Sequence, residues 1–242
     1  TLSQNQLRVN LAKCKFFQSH VTFLGHTLSS DGIAPLAERL DSIRHFKKPE
    51  LVTQLRSFLG VINYCHRFIP GVSGILAPLT AISSGRKNSI INWSDKSTAA
   101  FEAAKDALSS IQTLSYPKSS LPFVLTTDAS DIAVGAVITQ FQDGITKPLE
   151  FFSKKLSQPQ TRYSAFDREL LAIYLAIKHF KHLLEGRKLT IYTDHKPLVH
   201  LTTMKDPSPR QLRHIAFITE FTSDIKHIAG KENVLADFLS RN

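Results

Sequence analysis

Apolar positions along the 242-residue chain fall into two regimes. From residue 36 to about residue 111 they recur every three or four positions. After residue 122 they come in short dense runs. The first spacing predicts helices, and the second predicts strands around one long helix. Ahead of both, residues 20–34 (His-Val-Thr-Phe-Leu-Gly-His-Thr-Leu-Ser-Ser-Asp-Gly-Ile-Ala) read as two short strands around a Ser-Asp-Gly turn. Pro35 opens a helix over 36–46. Residues 52–67 form a second, with Leu55, Phe58, Leu59 and Ile62 on one face. Residues 75–82 form a third, broken by Ser83, Ser84 and Gly85. Ser94 and Asp95 cap a fourth that runs to about residue 111, striped by Ala100, Ala104, Ala107, Leu108 and Ile111. The prolines and serines of 115–122 mark a domain boundary.

Beyond that boundary, residues 123–127, 132–140 and 149–153 read as three consecutive antiparallel strands, the second ending at an Asp143-Gly144 turn. Ser164 starts a capping signal, and the helix behind it runs to about Glu185 and stops at Gly186. A fourth strand over 189–193, a short helix near 197–201, a helix over 210–221, a fifth strand over 224–228 and a last helix over 234–241, capped by Asn233, complete the chain. The order is βββαβααβα. A strand–helix–strand crossover of this length makes the fourth strand parallel to the first, with a right-handed connection. The expected class is α/β: a mixed five-stranded sheet with flanking helices, preceded by a small helical region.

Composition narrows the function. The longest run without a polar side chain, residues 170–177, is too short for a membrane span, which needs about 20 residues. No charged-then-apolar leader opens the chain, and a start on Thr1 suggests a fragment or processed product. Cys14 and Cys65 are the only cysteines, too few for a disulfide framework or a cysteine zinc site, so a reducing compartment is expected. The net charge of +10 points to a polyanion, usually nucleic acid. It is unevenly spread: residues 1–121 carry a net +7 and residues 122–242 a net +3, so the first part reads as a backbone-gripping surface and the second has acids to spare.

Four of those acids form a constellation. Asp128 ends the first strand of the sheet and Asp194 ends the fourth. If these strands are parallel neighbours, both carboxylates leave the sheet at one carboxyl edge, where open α/β sheets bind ligands. Glu169 lies on the intervening helix in register with Phe166, Ile173, Ala176 and Phe180, an acid on a core-facing stripe, which is costly unless compensated. Asp237 falls in the first turn of the last helix beside Val234 and Phe238. One aspartate at a strand end is ordinarily a cap or a solvated end, but four acids in the order Asp–Glu–Asp–Asp on these elements are not explained that way. Hard oxygen ligands without Cys or His suit two Mg²⁺ ions, with Mn²⁺ as a substitute, and such a pair can clamp a phosphodiester for attack by water. Asp131 and Asp167 lie nearby in sequence but are not directed at this edge.

Four segments carry a specific likeness. Asp128-Ala-Ser-Asp-Ile-Ala-Val-Gly-Ala-Val-Ile-Thr-Gln140, Arg168-Glu-Leu-Leu-Ala-Ile-Tyr174, Tyr192-Thr-Asp-His-Lys-Pro-Leu198 and His227-Ile-Ala-Gly-Lys-Glu-Asn-Val-Leu-Ala-Asp-Phe-Leu-Ser-Arg241 resemble the ribonuclease H domain of gypsy-type LTR retrotransposon Pol polyproteins. Upstream, Asn10-Leu-Ala-Lys-Cys-Lys-Phe16, Phe23-Leu-Gly-His26 and Phe58-Leu-Gly-Val-Ile-Asn-Tyr-Cys-His-Arg-Phe-Ile-Pro70 are similar to the end of the palm and the thumb of the same reverse transcriptases. The resemblance implies a ribonuclease H-like sheet over 122–242, a thumb or connecting region over 35–115 and the end of the palm over 1–34. It implies Mg²⁺-dependent endonucleolytic cleavage of the RNA strand of an RNA–DNA hybrid. Asp128, Glu169, Asp194 and Asp237 would be both catalytic and metal-binding. Asp128 would bridge two ions, Asp237 would serve the ion that holds the attacking water, and Glu169 and Asp194 the leaving-group side. It further implies a duplex grip by Arg39, Arg44, Lys47, Lys48, Arg56 and Arg67, and a primer-positioning hairpin at Phe23, Leu24, Gly25 and His26. The fingers and palm of the enzyme are the implied protein partners, with a dimer as a further possibility, in an intracellular replication particle or the nucleus.

Departures temper the likeness. Some ribonucleases H carry a histidine in a loop before the last aspartate; the loop here, residues 229–232, has none. His195 and His227 are the histidines nearest the acids in sequence and read as packing or hydrogen-bonding groups. His179 and His182, among Lys178 and Lys181, read as a solvated basic face. No Asp-Asp pair occurs in the chain, so the polymerase carboxylates of such enzymes are not expected in it. An integrase or transposase shares the sheet but carries its glutamate on the last helix, unlike this order. A nucleic-acid-binding remnant without activity is the rival from another class, and the intact acids speak against it.

Overall fold

A computed structural model describes the chain except residues 1, 2, 6, 7, 109, 110, 112, 231, 232, 234, 235, 237–239, 241 and 242. The first layer is a small antiparallel meander, β1 (His20–Phe23), β2 (His26–Ser29) and β3 (Gly32–Pro35), in place of the two strands expected. The extra turn is Leu24-Gly25, with both residues at positive φ (47° and 80°). That arrangement makes a tight two-residue hairpin. Leucine is not a turn residue, so the hydrophobic pattern did not announce this turn, whereas the family resemblance implied a hairpin at Phe23–His26. Gly32 sits where its backbone nearly touches the Leu114 carbonyl, which leaves no room for a Cβ.

Four helices follow: α1 (Ala37–Arg44), α2 (Val52–Tyr64), α3 (Val72–Ile82) and α4 (Asp95–Ala107). The expected apolar faces meet, with Leu55, Phe58, Ile62, Phe101 and Ala104 all buried in one cluster. The Phe58 and Phe101 rings lie 4.7 Å apart. The helix expected over 52–67 ends at Tyr64 instead, and His66–Phe68 form a 3-10 turn. Gly71, at φ 67°, then starts α3 one turn earlier than the spacing suggested. Ser94 caps α4 as expected, accepting from the Ser97 amide.

The five-stranded sheet contains β4 (Phe123–Ala129), β5 (Ala133–Gln142), β6 (Ile145–Lys155), β7 (Leu189–Thr193) and β8 (Ile225–His227), in the order β6-β5-β4-β7-β8. β6, β5 and β4 are antiparallel neighbours, while β4–β7 and β7–β8 are parallel. The chain thus has the expected α/β architecture, with a mixed sheet and flanking helices. α5 (Ala165–Leu184) is capped by Ser164 and lies on one face, burying Ile173, Ala176, Ile177 and Phe180 against Leu125, Ala136 and Ile138. α6 (Pro209–Thr219) packs beside it.

The other face of the sheet is covered too. Val137 and Phe151 form a cross-strand pair whose side chains bury against Phe68 and Leu114 from the helical part. The edge strand β6 is longer than the five residues expected, because its outer backbone is engaged: the Ser73 hydroxyl donates to the Ser153 carbonyl at 2.8 Å, and the Ser115 amide to the Pro148 carbonyl at 3.0 Å. Among the described residues, no helix is long and apolar enough to cross a membrane.

Candidate active site

Two parallel strands and one helix build the site. Thr126 pairs with Tyr192 across β4 and β7, so Asp128 and Asp194, two residues further along each strand, come out side by side at the carboxyl edge. Glu169 joins them from the second turn of α5. Ligand oxygens of Asp128, Glu169 and Asp194 all lie within 4.8 Å of one another. Asp128 and Glu169 are buried, at 4% and 6% exposure, and Asp194 is half-buried. Asp237 lies outside the described residues.

Each acid is held differently. The Ala129 amide, at the end of β4, donates to Glu169 Oε1 at 2.9 Å, while Glu169 Oε2 is buried without a hydrogen-bond partner among the described residues. The Ser240 hydroxyl donates to Asp128 Oδ2. Gly230 lies on the loop after β8, where an added Cβ would come within 3.6 Å of Asp194 Oδ2. Burial, and then the neighbouring Asp128 and Asp194 charges, push the Glu169 carboxyl up to about 9, against the opposing pull of the Ala129 amide and Arg168. Three carboxylates converging with one orphaned buried oxygen form an all-oxygen donor set suited to a hard divalent cation. The residues present therefore fit the group that the acid pattern implies.

The other expected residues are dispersed. His195 is half-buried edge-on to Phe166, with ring centroids 5.8 Å apart, and His227 is exposed on β8. His179 is no free basic group: its ring stacks on Phe152 at 4.6 Å and it meets Glu150 at 3.2 Å. Asp167 points to α6, where Arg210 (3.1 Å) and Gln211 (2.9 Å) hold it. Among the basic residues, Arg44 pairs with Asp41, Lys48 donates to Thr98, and Lys47 is exposed. Arg39 lies over the Tyr64 ring at 4.1 Å. Arg56 donates to the Ser83 and Gly85 carbonyls, and Arg67 pairs with Glu150 of β6 at 3.2 Å. Phe23 and Leu24 are exposed at the hairpin tip, at 59% and 77%. Beneath them, the Tyr64 hydroxyl donates to the Leu24 carbonyl and also contacts His26 Nδ1. Sequence reasoning passed over Ser130 and Ser240, because a serine inside a motif gives no charge or periodicity signal.

The RNase H-like domain found in reverse transcriptase matches residues 118–221, a span that holds Asp128, Glu169 and Asp194. The Tf2-3 and Tf2-4 transposon polyproteins of Schizosaccharomyces pombe are each 37% identical to this chain over 99% of its length. The chain spans 18% of the length of each. In fold it resembles a foamy viral protease-reverse transcriptase solved with double-stranded DNA (TM-score 0.75, 21% identity, 88% of this chain and 38% of that one). It also resembles one solved with RNA/DNA hybrid (TM-score 0.74, 23% identity, 91% of this chain and 30% of that one).

Proposed function

Residues 118–221 carry the RNase H-like domain found in reverse transcriptase, within a chain similar to transposon polyproteins along 99% of its length, and from that premise we propose that it hydrolyses the RNA strand of RNA–DNA hybrids endonucleolytically. The observation that carries this reading is the convergence of Asp128, Glu169 and Asp194 within 4.8 Å at the carboxyl edge of β4 and β7. With Asp237 as a fourth ligand, they would hold two Mg²⁺ ions, or Mn²⁺ in their place. Bound cations of this kind polarise the phosphodiester and lower the pKa of an attacking water.

The chain's own residues prepare the site. Parallel pairing fixes the spacing of Asp128 and Asp194. The Ala129 amide holds one oxygen of Glu169 and leaves the other unpaired. Burial of Asp128 and Glu169 lowers the local dielectric, which strengthens their hold on a cation. The excess of positive charge in residues 1–121 supports a sequence-independent grip on the duplex backbone, with Lys47 an exposed member of the proposed contacts. Discrimination of the RNA strand would come from its 2′-hydroxyls; a structural neighbour of the same fold is known with RNA/DNA hybrid. In this reading residues 1–34 are the end of a reverse-transcriptase palm whose exposed Phe23-Leu24 tip meets the primer. Residues 35–115 are its thumb, residues 122–242 its ribonuclease H domain, and the rest of that enzyme is the protein partner. Incubation of the purified chain with an end-labelled RNA–DNA hybrid tests the proposal. Internal RNA cuts with Mg²⁺, and none in EDTA, are expected. An intact hybrid under both conditions, or equal cutting of the DNA strand, would overturn it.

A further inference from the structure

We infer that Ser240 is a positioning residue for the Asp128 carboxylate, setting the orientation in which that acid receives its cations; the inference rests on the metal-site reading above. Ser240 is fully buried, and its hydroxyl donates to Asp128 Oδ2. The serine is itself located from the far side. Ser130, two residues after Asp128, donates its hydroxyl to the Ser240 carbonyl at 2.6 Å, and the Ser130 oxygen accepts from the Ala133 amide at 3.0 Å. A closed path thus runs from the β4 end through Ser130 to Ser240 and back to Asp128.

The geometry answers a specific problem. The terminal torsion of an aspartate is broad, so packing alone does not fix the plane of its carboxylate. Asp194 stands within 4.8 Å of it, so the carboxylate is not left to choose its plane by metal contact alone. A hydroxyl donor on Oδ2 sets that plane. A second tie joins the same C-terminal stretch to β4: Asn233 Nδ2 donates to the Thr127 carbonyl at 3.2 Å. That tie fastens the segment but touches no carboxylate, so it separates anchoring from positioning. Hydrogen-bond partners of metal ligands typically contribute about 10- to 100-fold to metal affinity or activity.

The experiment uses the full chain with Ser240→Ala, Ser240→Cys, Asn233→Ala and Asp128→Asn. Mg²⁺ binding is measured by calorimetry without nucleic acid, alongside Tm in EDTA and hybrid cleavage. Ser240→Ala is expected to weaken Mg²⁺ binding about 10- to 100-fold and to lower kcat more than it raises KM for the hybrid. Ser240→Cys fills the same space with a weak donor and is expected to weaken Mg²⁺ binding in the same direction; it decides the question if the alanine variant does not fold. Asn233→Ala is expected to lower Tm while binding Mg²⁺ nearly as the parent does. Parental Mg²⁺ affinity in both Ser240 variants would overturn the inference. So would a loss of affinity that merely tracks Tm across the Ser240 and Asn233 variants. Asp128→Asn separates the two levels: if it binds Mg²⁺ like the parent, the metal-site reading itself fails, whereas if it loses Mg²⁺ and the Ser240 variants do not, only the role of Ser240 falls.

Discussion

At the scale of the residue, charge and solvation decide what each acid does. Asp128→Asn, Glu169→Gln, Asp194→Asn and Asp237→Asn each keep the side-chain shape and remove one negative charge from the proposed metal site. Each is expected to cut hybrid cleavage by at least about 100-fold, since a metal clamp supplies several kcal/mol at the transition state. Asp131→Asn, at an exposed position outside the cluster, is expected to cleave like the parent. Asp167 is a poorer control than its sequence position suggested, because it ties α5 to Arg210 and Gln211. Glu169 also gives the metal-free protein a pH dependence. Its folded pKa of about 9 stands above the unfolded value of 4.5, so the folded state holds a proton that the unfolded state has released. Stability in EDTA therefore falls as pH rises towards 9. The half-buried histidines His26, His66 and His214, whose pKa values are lowered by burial, contribute little above pH 7. Thermal melts in EDTA from pH 7 to 9 are expected to show a declining Tm for the parent and a flatter profile for Glu169→Gln. Equal slopes would refute the assignment of the proton to Glu169.

At the scale of the element, local signals and their failures have physical causes. α5 was legible from end to end because Ser164 caps it, Gly186 at φ 69° ends it, and twenty residues of regular spacing lie between. β7 was equally plain, bounded by turn residues on both sides. The meander was misread because its first turn uses Leu24 in the left-handed region, and what holds it there is a long-range contact: the Tyr64 hydroxyl from α2 meets the Leu24 carbonyl at 2.5 Å. Tyr64→Phe is expected to cost about 1 kcal/mol, the worth of one such bond, in urea unfolding. It should also raise amide exchange at Leu24 and Gly25 before it affects the sheet. Unchanged exchange at the tip would show that the turn stands without α2.

At the scale of the whole molecule, the helical part and the sheet share a seam. Phe68 and Leu114 bury against Val137 and Phe151, and beside them Glu150, only 6% exposed, takes Arg67 and His179 as partners. Arg67 thus spends its charge inside the molecule, unlike Lys47. Removing it leaves a buried carboxylate short of a donor, so Arg67→Ala is expected to cost about 1–3 kcal/mol of stability. The loss should shrink in a Glu150→Gln background, since the amide needs no cation. A double-mutant cycle in urea checks this, and full additivity of the two changes would mean that the seam pair carries no coupling.

The sequence by itself determined the element order from β4 to β8, the parallel placement of β7 beside β4, and hence the meeting of Asp128 with Asp194, because period, caps and crossover length are local or topological properties; the last helix expected over 234–241 falls largely outside the described residues. It also placed Glu169 on the buried face of α5 by helical spacing alone. Tertiary structure alone decided which partners each side chain found. Arg67 met Glu150, His179 stacked on Phe152, and Ser240 returned to Asp128 across more than a hundred residues of chain. Such contacts follow from how finished elements pack, and a serine or an arginine has no periodicity that foretells its partner.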